Sequence, residues 1–134
     1  MSKIITVDFD LTLAEPVGFS GWVDDYYLKP VARVINFVMK KHKEGCVCHV
    51  VSYRYEKDRE EMEDFITRWK IPIKQIFCTG STSKVPVVKK LNSSLHIDDD
   101  IATCVVLAQA GIDVLLVDWE FNRRNSTSKL FDKI

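Results

Sequence analysis

The chain has 134 residues, 46% of them apolar, and its 19 lysines plus arginines equal its 19 aspartates plus glutamates. That length supports one buried core and is too short for two ordinary domains, so residues 1–134 are expected to form a single domain. The balanced charge provides no global field to gather nucleic acid or an anionic membrane. No apolar run approaches the ~20 residues of a spanning helix and no signal-peptide pattern opens the sequence, so the expectation is a cytoplasmic protein with no membrane partner.

In chain order, Ile4 to Phe9 is a short, β-rich apolar run that predicts a first strand. It ends in Val7-Asp8-Phe9-Asp10-Leu11-Thr12, two carboxylates spaced two apart and then a hydroxyl. Residues 13–29 are the longest irregular stretch and read as a flap. Its Phe19, Trp22, Tyr26 and Tyr27 offer aromatic surface, either to stack on a ring or to anchor the loop itself. Val31, Val34, Ile35, Val38 and Met39 recur at helical spacing, and Lys40, Lys41 and Lys43 precede Gly45 as a helix C-terminus asks.

Cys46 to Ser52 predicts the second strand. Met62, Phe65, Ile66 and Trp69 follow at helical spacing, with Pro72 beyond the helix end. Gln75 to Cys78 predicts the third strand. Ser83 to Leu91 predicts a short helix with Ser83 as N-cap and Pro86 tolerated in the first turn. Ser94 to Ile97 is the fourth strand, Ile101 to Ala110 a deeply buried helix stopped by Gly111, and Val114 to Val117 the fifth strand. Cys46, Cys48, Cys78 and Cys104 lie in these apolar segments and read as structural thiols, because Cys46 and Cys48 lack a second ligand pair at zinc spacing.

Alternating strands and helices, with strands apolar nearly throughout, imply an α/β fold. Its expected form is a three-layer Rossmann-like domain whose parallel five-stranded sheet is covered on both faces. In such a sheet every C-terminal strand end lies on one edge, where ligands bind. Asp8 and Asp10 close the first strand, Ser52 the second, and Asp98, Asp99 and Asp100 the fourth. Carboxylates gathered there repel unless a cation holds them ionised, and oxygen donors without histidine or thiolate favour magnesium.

DFDLT at Asp8 to Thr12, the hydroxyl of Ser52, Lys84, and the IDD at Ile97 to Asp99 resemble, in order, the four motifs of the haloacid dehalogenase superfamily. The resemblance spans residues 4 to about 118 and implies a Mg²⁺-dependent phosphomonoester hydrolase with strand order 5-4-1-2-3. It implies Asp8 as nucleophile, Asp10 as general acid and base, and Ser52 and Lys84 as ligands of the phosphoryl oxygens. The metal would be held by Asp8, the backbone carbonyl of Asp10, Asp99 and Asp98, with Asp98 either a direct ligand or a group orienting the others. Lys84 is preferred to Lys89 because it falls in the first turn of its helix, whereas Lys89 lies about 7 Å further along at roughly 1.5 Å per residue. Thr12 reads as a brace for the loop, and Asp100 as the cap of the helix that follows.

The superfamily's cap domains have no room here, so the site is expected to be open. Its missing wall would come from a large substrate or from a second copy of the chain. Asp118 to Asn125, DWEFNRRN, and GID at Gly111 to Asp113 resemble the 5'(3')-deoxyribonucleotidase branch, which carries a larger cap. The resemblance makes a nucleotide or other small phosphate the first substrate expectation. A polynucleotide end, a phosphoprotein, or a catalytically silent binding module are the alternatives. Arg123 and Arg124 follow the fifth strand, either to meet a second anionic group or as solvated side chains. A phosphoacceptor receiver domain uses similar groups, but its phosphorylated Asp follows the third strand and its Lys the fifth, unlike this chain.

Overall fold

A computed structural model describes residues 2–18 and 27–134. The elements are β1 (Ile4–Val7), β2 (Ala14–Val17), β3 (Tyr27–Pro30), α1 (Ala32–Lys43), β4 (Val47–Ser52), α2 (Arg59–Arg68) and β5 (Gln75–Cys78). They continue with α3 (Val85–Lys90), β6 (Leu95–Asp98), α4 (Ile101–Gln109), β7 (Val114–Leu116), α5 (Glu120–Arg123) and β8 (Asp132–Lys133).

The main sheet has six strands, not five, and every pairing in it is parallel. Its order is β5-β4-β1-β6-β7-β8: the five expected strands keep their 5-4-1-2-3 order under new numbers, and the correction is a sixth strand, β8, added beside β7. Two features make the difference. The flap contributes β2 and β3, which pair antiparallel outside the main sheet and enter the strand count early. The polar pair Asp132–Lys133 then docks beside β7, with Leu115 opposite Asp132 and Leu116 opposite Lys133. A two-residue polar strand carries no hydrophobic alternation, so nothing in the sequence marks it.

Alternation along the strands sends their side chains to two layers of helices. Ile5, Val7, Cys48, Val50, Ile76 and Ile97 join Val34, Ile35 and Val38 of α1 and Met62, Phe65 and Ile66 of α2 in the larger core. Val51 packs with Val88 of α3, Leu107 of α4 and Ile112 in a smaller one. The polar row Thr6, His49 and His96, buried and in register, belongs to the strand positions between those of the larger core.

Three helix expectations are corrected. Lys84 occupies the N-cap of α3, and Ser83 stands one residue earlier, its hydroxyl accepting the Val85 N–H at 3.2 Å. α4 is buried only at Thr103, Cys104 and Leu107, with Val106 41% exposed, because it lies on the sheet by one face. Trp69 caps the C-terminus of α2 and is exposed, its ring tilted against Phe65. The expectation for Phe19, Trp22 and Tyr26 lies outside the described residues. Tyr27 is exposed at the start of β3.

Candidate active site

The turn after β1 is built from backbone hydrogen bonds. The Asp8 N–H donates to the Ile97 carbonyl at 2.9 Å, which carries the β1–β6 pairing one residue further and sets Asp8 beside the end of β6. The Phe9 carbonyl then accepts the N–H groups of Leu13 and Ala14 at 2.9 and 3.0 Å. Closing so tight a turn puts Leu11 at φ 57°. That left-handed conformation costs a residue with a Cβ roughly 1–2 kcal/mol. Two contacts hold it: the Leu11 N–H donates to the Ala14 carbonyl at 2.7 Å, and the Trp119 indole donates to the Leu11 carbonyl at 2.6 Å.

Lys84 lies between two of the acids. Its side chain is 1% exposed, and Nζ donates to Asp8 Oδ1 at 2.9 Å and to Asp98 Oδ2 at 2.8 Å. The same ammonium sits 4.5 Å from the centre of the Tyr53 ring, whose hydroxyl reaches Thr103 Oγ1 at 3.0 Å. Burial works against a charge here, but Asp8 and Asp98 outweigh it and hold the Lys84 pKa above its ordinary value. Burial likewise opposes ionisation of Asp98, yet Lys84 and His96 keep that carboxyl well below the usual range. Asp8 is shifted the other way, raised first by burial and next by Asp98, with Lys84 opposing.

Asp8, Asp98 and Asp99 each offer an oxygen within 4.8 Å of the others. Burial, and then the neighbouring Asp8 and Asp98, push the Asp99 carboxyl up to about 9. Three carboxylates against one ammonium leave the cluster two charges short of neutrality if all ionise. A divalent cation supplies the missing charge, and an all-oxygen donor set suits magnesium among such ions. The residues present therefore fit the ion.

Asp10 lies apart from that cluster. Arg54 grips it bidentately, Nε to Oδ2 at 2.7 Å and Nη2 to Oδ1 at 2.8 Å, and donates its remaining nitrogen to Glu61 at 2.6 Å. Both oxygens of the Asp10 carboxylate are thus taken up by Arg54 rather than by the cluster. Ser52 is buried at the end of β4, and its oxygen accepts the Arg54 N–H at 3.0 Å. Thr12 Oγ1 faces Asp8 Oδ2 at 3.4 Å, a long contact consistent with a brace. Asp100 caps α4, accepting the Thr103 N–H at 3.2 Å and its hydroxyl at 2.6 Å.

The structure thus brings Asp8, Lys84, Asp98 and Asp99 into one cluster at the sheet edge, and adds residues that sequence reasoning passed over. Arg54 is the main one; its signal was its place two residues after the strand-ending Ser52. Asn122 holds the end of β6 by donating to the carbonyls of Asp99 at 2.7 Å and Val117 at 3.1 Å. Arg123 pairs with Asp118, and Arg124 is 80% exposed beside Glu120, so both read as solvated surface groups.

No family model matches the chain. Over 60 residues, 45% of its length, the chain is 35% identical to a nucleotidase of Clostridium acetobutylicum; the match covers 31% of that protein, so the chain spans under a third of its length. A chain of the Pnkp1/Rnl/Hen1 RNA repair complex superposes with a TM-score of 0.70 at 16% identity, over 88% of this chain and 43% of that one. A second structure of that complex gives 0.70 at 16% identity, over 89% and 47%. The core domain of a Streptococcus pneumoniae protein described as a phosphoglycolate phosphatase gives 0.55 at 14% identity, over 87% of this chain and 80% of that one. At these identities the likeness is one of fold, and the fold is an α/β, Rossmann-like one shared with that core domain.

Proposed function

We propose that the chain is a magnesium-dependent phosphomonoester hydrolase of the haloacid dehalogenase type, acting through an aspartyl-phosphate on Asp8. The observation that carries this reading is the Asp8–Lys84–Asp98 arrangement at the sheet edge, with a second carboxylate, Asp10, two residues from the first and separately held by Arg54. Asp8 attacks phosphorus as the bond to the leaving oxygen breaks, and Asp10, having taken a proton from solvent on an oxygen released by Arg54, gives that proton to the leaving oxygen. Water then attacks the phosphorus of the acyl phosphate, Asp10 takes its proton, and Asp8 is regenerated as inorganic phosphate leaves. Lys84 and Ser52 hold phosphoryl oxygens during both displacements. Asp8, Asp99 and the Asp10 carbonyl, with Asp98 alongside, would hold Mg²⁺, which would offset the negative charge of the carboxylates and the phosphate.

A nucleotide or another small phosphate is the favoured substrate, supported by the partial identity to a nucleotidase. A polynucleotide end is the second reading, favoured by the 40% and 55% exposed rings of Tyr53 and Tyr55 on the loop that follows Ser52. Hydrolysis of an aryl phosphate and of a panel of mononucleotides and 3'- and 5'-phosphorylated oligonucleotides, with and without Mg²⁺, tests the proposal. Asp8→Asn should abolish turnover, a fall of at least about 10³-fold on losing the nucleophile. Metal uptake without hydrolysis of any of these would leave a silent binding module instead.

A further inference from the structure

His96 is wholly buried on β6 and belongs to no motif, yet both of its ring nitrogens are engaged. Nε2 lies 2.8 Å from Asp98 Oδ2, and Nδ1 lies 2.8 Å from Thr6 Oγ1 on the neighbouring strand. Thr6 Oγ1 is in turn 2.9 Å from Ser93 Oγ, which also reaches the Leu95 carbonyl at 2.8 Å. A chain of hydrogen bonds thus runs from the N-terminal edge of the sheet, at Ser93, to the acidic cluster at the opposite edge.

Asp98 is fixed by three donors of different origin. Oδ2 accepts from Lys84 Nζ and His96 Nε2, and Oδ1 accepts the Asp100 N–H at 3.1 Å. An ionised carboxylate only accepts, so Nε2 must carry a proton, and the Thr6 contact at Nδ1 keeps the ring from turning that proton away. Asp98 and His96 are both 0% exposed, so no water can replace a lost donor. We propose that His96 is a positioning residue: by holding Asp98 it fixes the ammonium of Lys84 against Asp8, and so sets where the phosphoryl oxygens are received.

The inference rests on the phosphatase reading, and two amide variants separate the two. In His96→Gln the amide nitrogen reaches the place of Nε2 and restores the donor to Asp98. In His96→Asn it reaches only the place of Nδ1, keeping the Thr6 contact. With an aryl phosphate and Mg²⁺, His96→Asn should lose about 10- to 100-fold in kcat with KM little changed, the usual cost of removing such a support. His96→Gln should recover most of it. Equal losses in both variants would make His96 a core residue and overturn the proposal, as would full activity in both. ¹⁵N spectra of the unmodified protein give a readout free of turnover. A proton on Nε2, protected from exchange and losing that protection in Asp98→Ala, is expected, and a bare Nε2 refutes the inference even if no phosphate ester is hydrolysed. An inactive wild-type protein with that proton present would instead count against the phosphatase reading alone.

Discussion

Arg54 shows how far a side chain's role depends on distances that sequence order hides. Read along the chain it is one more basic residue in a polar loop, Ser52-Tyr53-Arg54-Tyr55. In space its guanidinium spans Asp10 and Glu61 and lies 5.2 Å from the centre of the Phe9 ring. A bidentate fork on a partly buried carboxylate cannot be copied by lysine. Arg54→Lys should therefore lower kcat about as much as Arg54→Ala, by the order of 100-fold that removing a preorganised donor costs. A lysine variant close to wild type in steady-state assays would show that charge alone suffices. The gathering of Asp8, Asp98 and Asp99 was legible because strand ends with several acids are rare and costly without a cation, and Lys84 because it stands at the start of the helix before the strand that carries Asp98. Arg54, His96, Trp119 and Asn122 were not, because each acts across 23 to 108 residues of sequence or through a single loop geometry.

At the scale of elements, the acidic edge depends on how helices begin and turns close. α4 starts where the acidic run ends, and Asp100 satisfies the first-turn N–H of Thr103 while its neighbour Asp99 faces the cluster. Asp100→Ala should cost about 1 kcal/mol of stability, the usual worth of an N-cap, as measured by chemical denaturation. Asp100→Asn, which keeps an accepting oxygen, should cost much less. The periodic strands and helices were readable because burial imposes periods of 2.0 and 3.6 on apolar residues. The same signal misled for α4. Its sequence is apolar all round, yet only one face has the sheet beneath it, and hydrophobicity alone does not say how many faces are covered.

For the whole molecule, the acidic cluster would couple the proposed binding of a cation to stability. Asp99 ionises normally near 3.8 but is pushed up to about 9 in the metal-free fold. Between those values the folded chain holds a proton that the unfolded chain has released, so this group's contribution to metal-free stability falls as pH rises through that window. On the proposed function, Mg²⁺ would replace the proton. The rise in Tm on adding Mg²⁺ should be larger at pH 8 than at pH 5, and Asp99→Asn should flatten both the pH slope and the Mg²⁺ response in thermal melts. The fold class was legible because strand and helix alternate from α1 onward. The sheet's true width was not, since β8 has no pattern of its own and exists only because β7 offers an unpaired side.

The two margins of that sheet are guarded by different means, and this bears on how the protein behaves at high concentration. At one margin Arg59 lays its guanidinium on the Ile76 carbonyl of β5 at 2.8 Å, putting a charge on a strand that has one neighbour. At the other, β8 and Ile134 cover β7, with the Asp118 N–H bonded to the Ile134 carbonyl at 2.7 Å and the Ile134 N–H to the Leu116 carbonyl at 3.0 Å. Bare strand margins recruit other chains. Removing residues 131–134 should turn a monodisperse sample into growing aggregates under light scattering, at temperatures where the full chain stays dispersed.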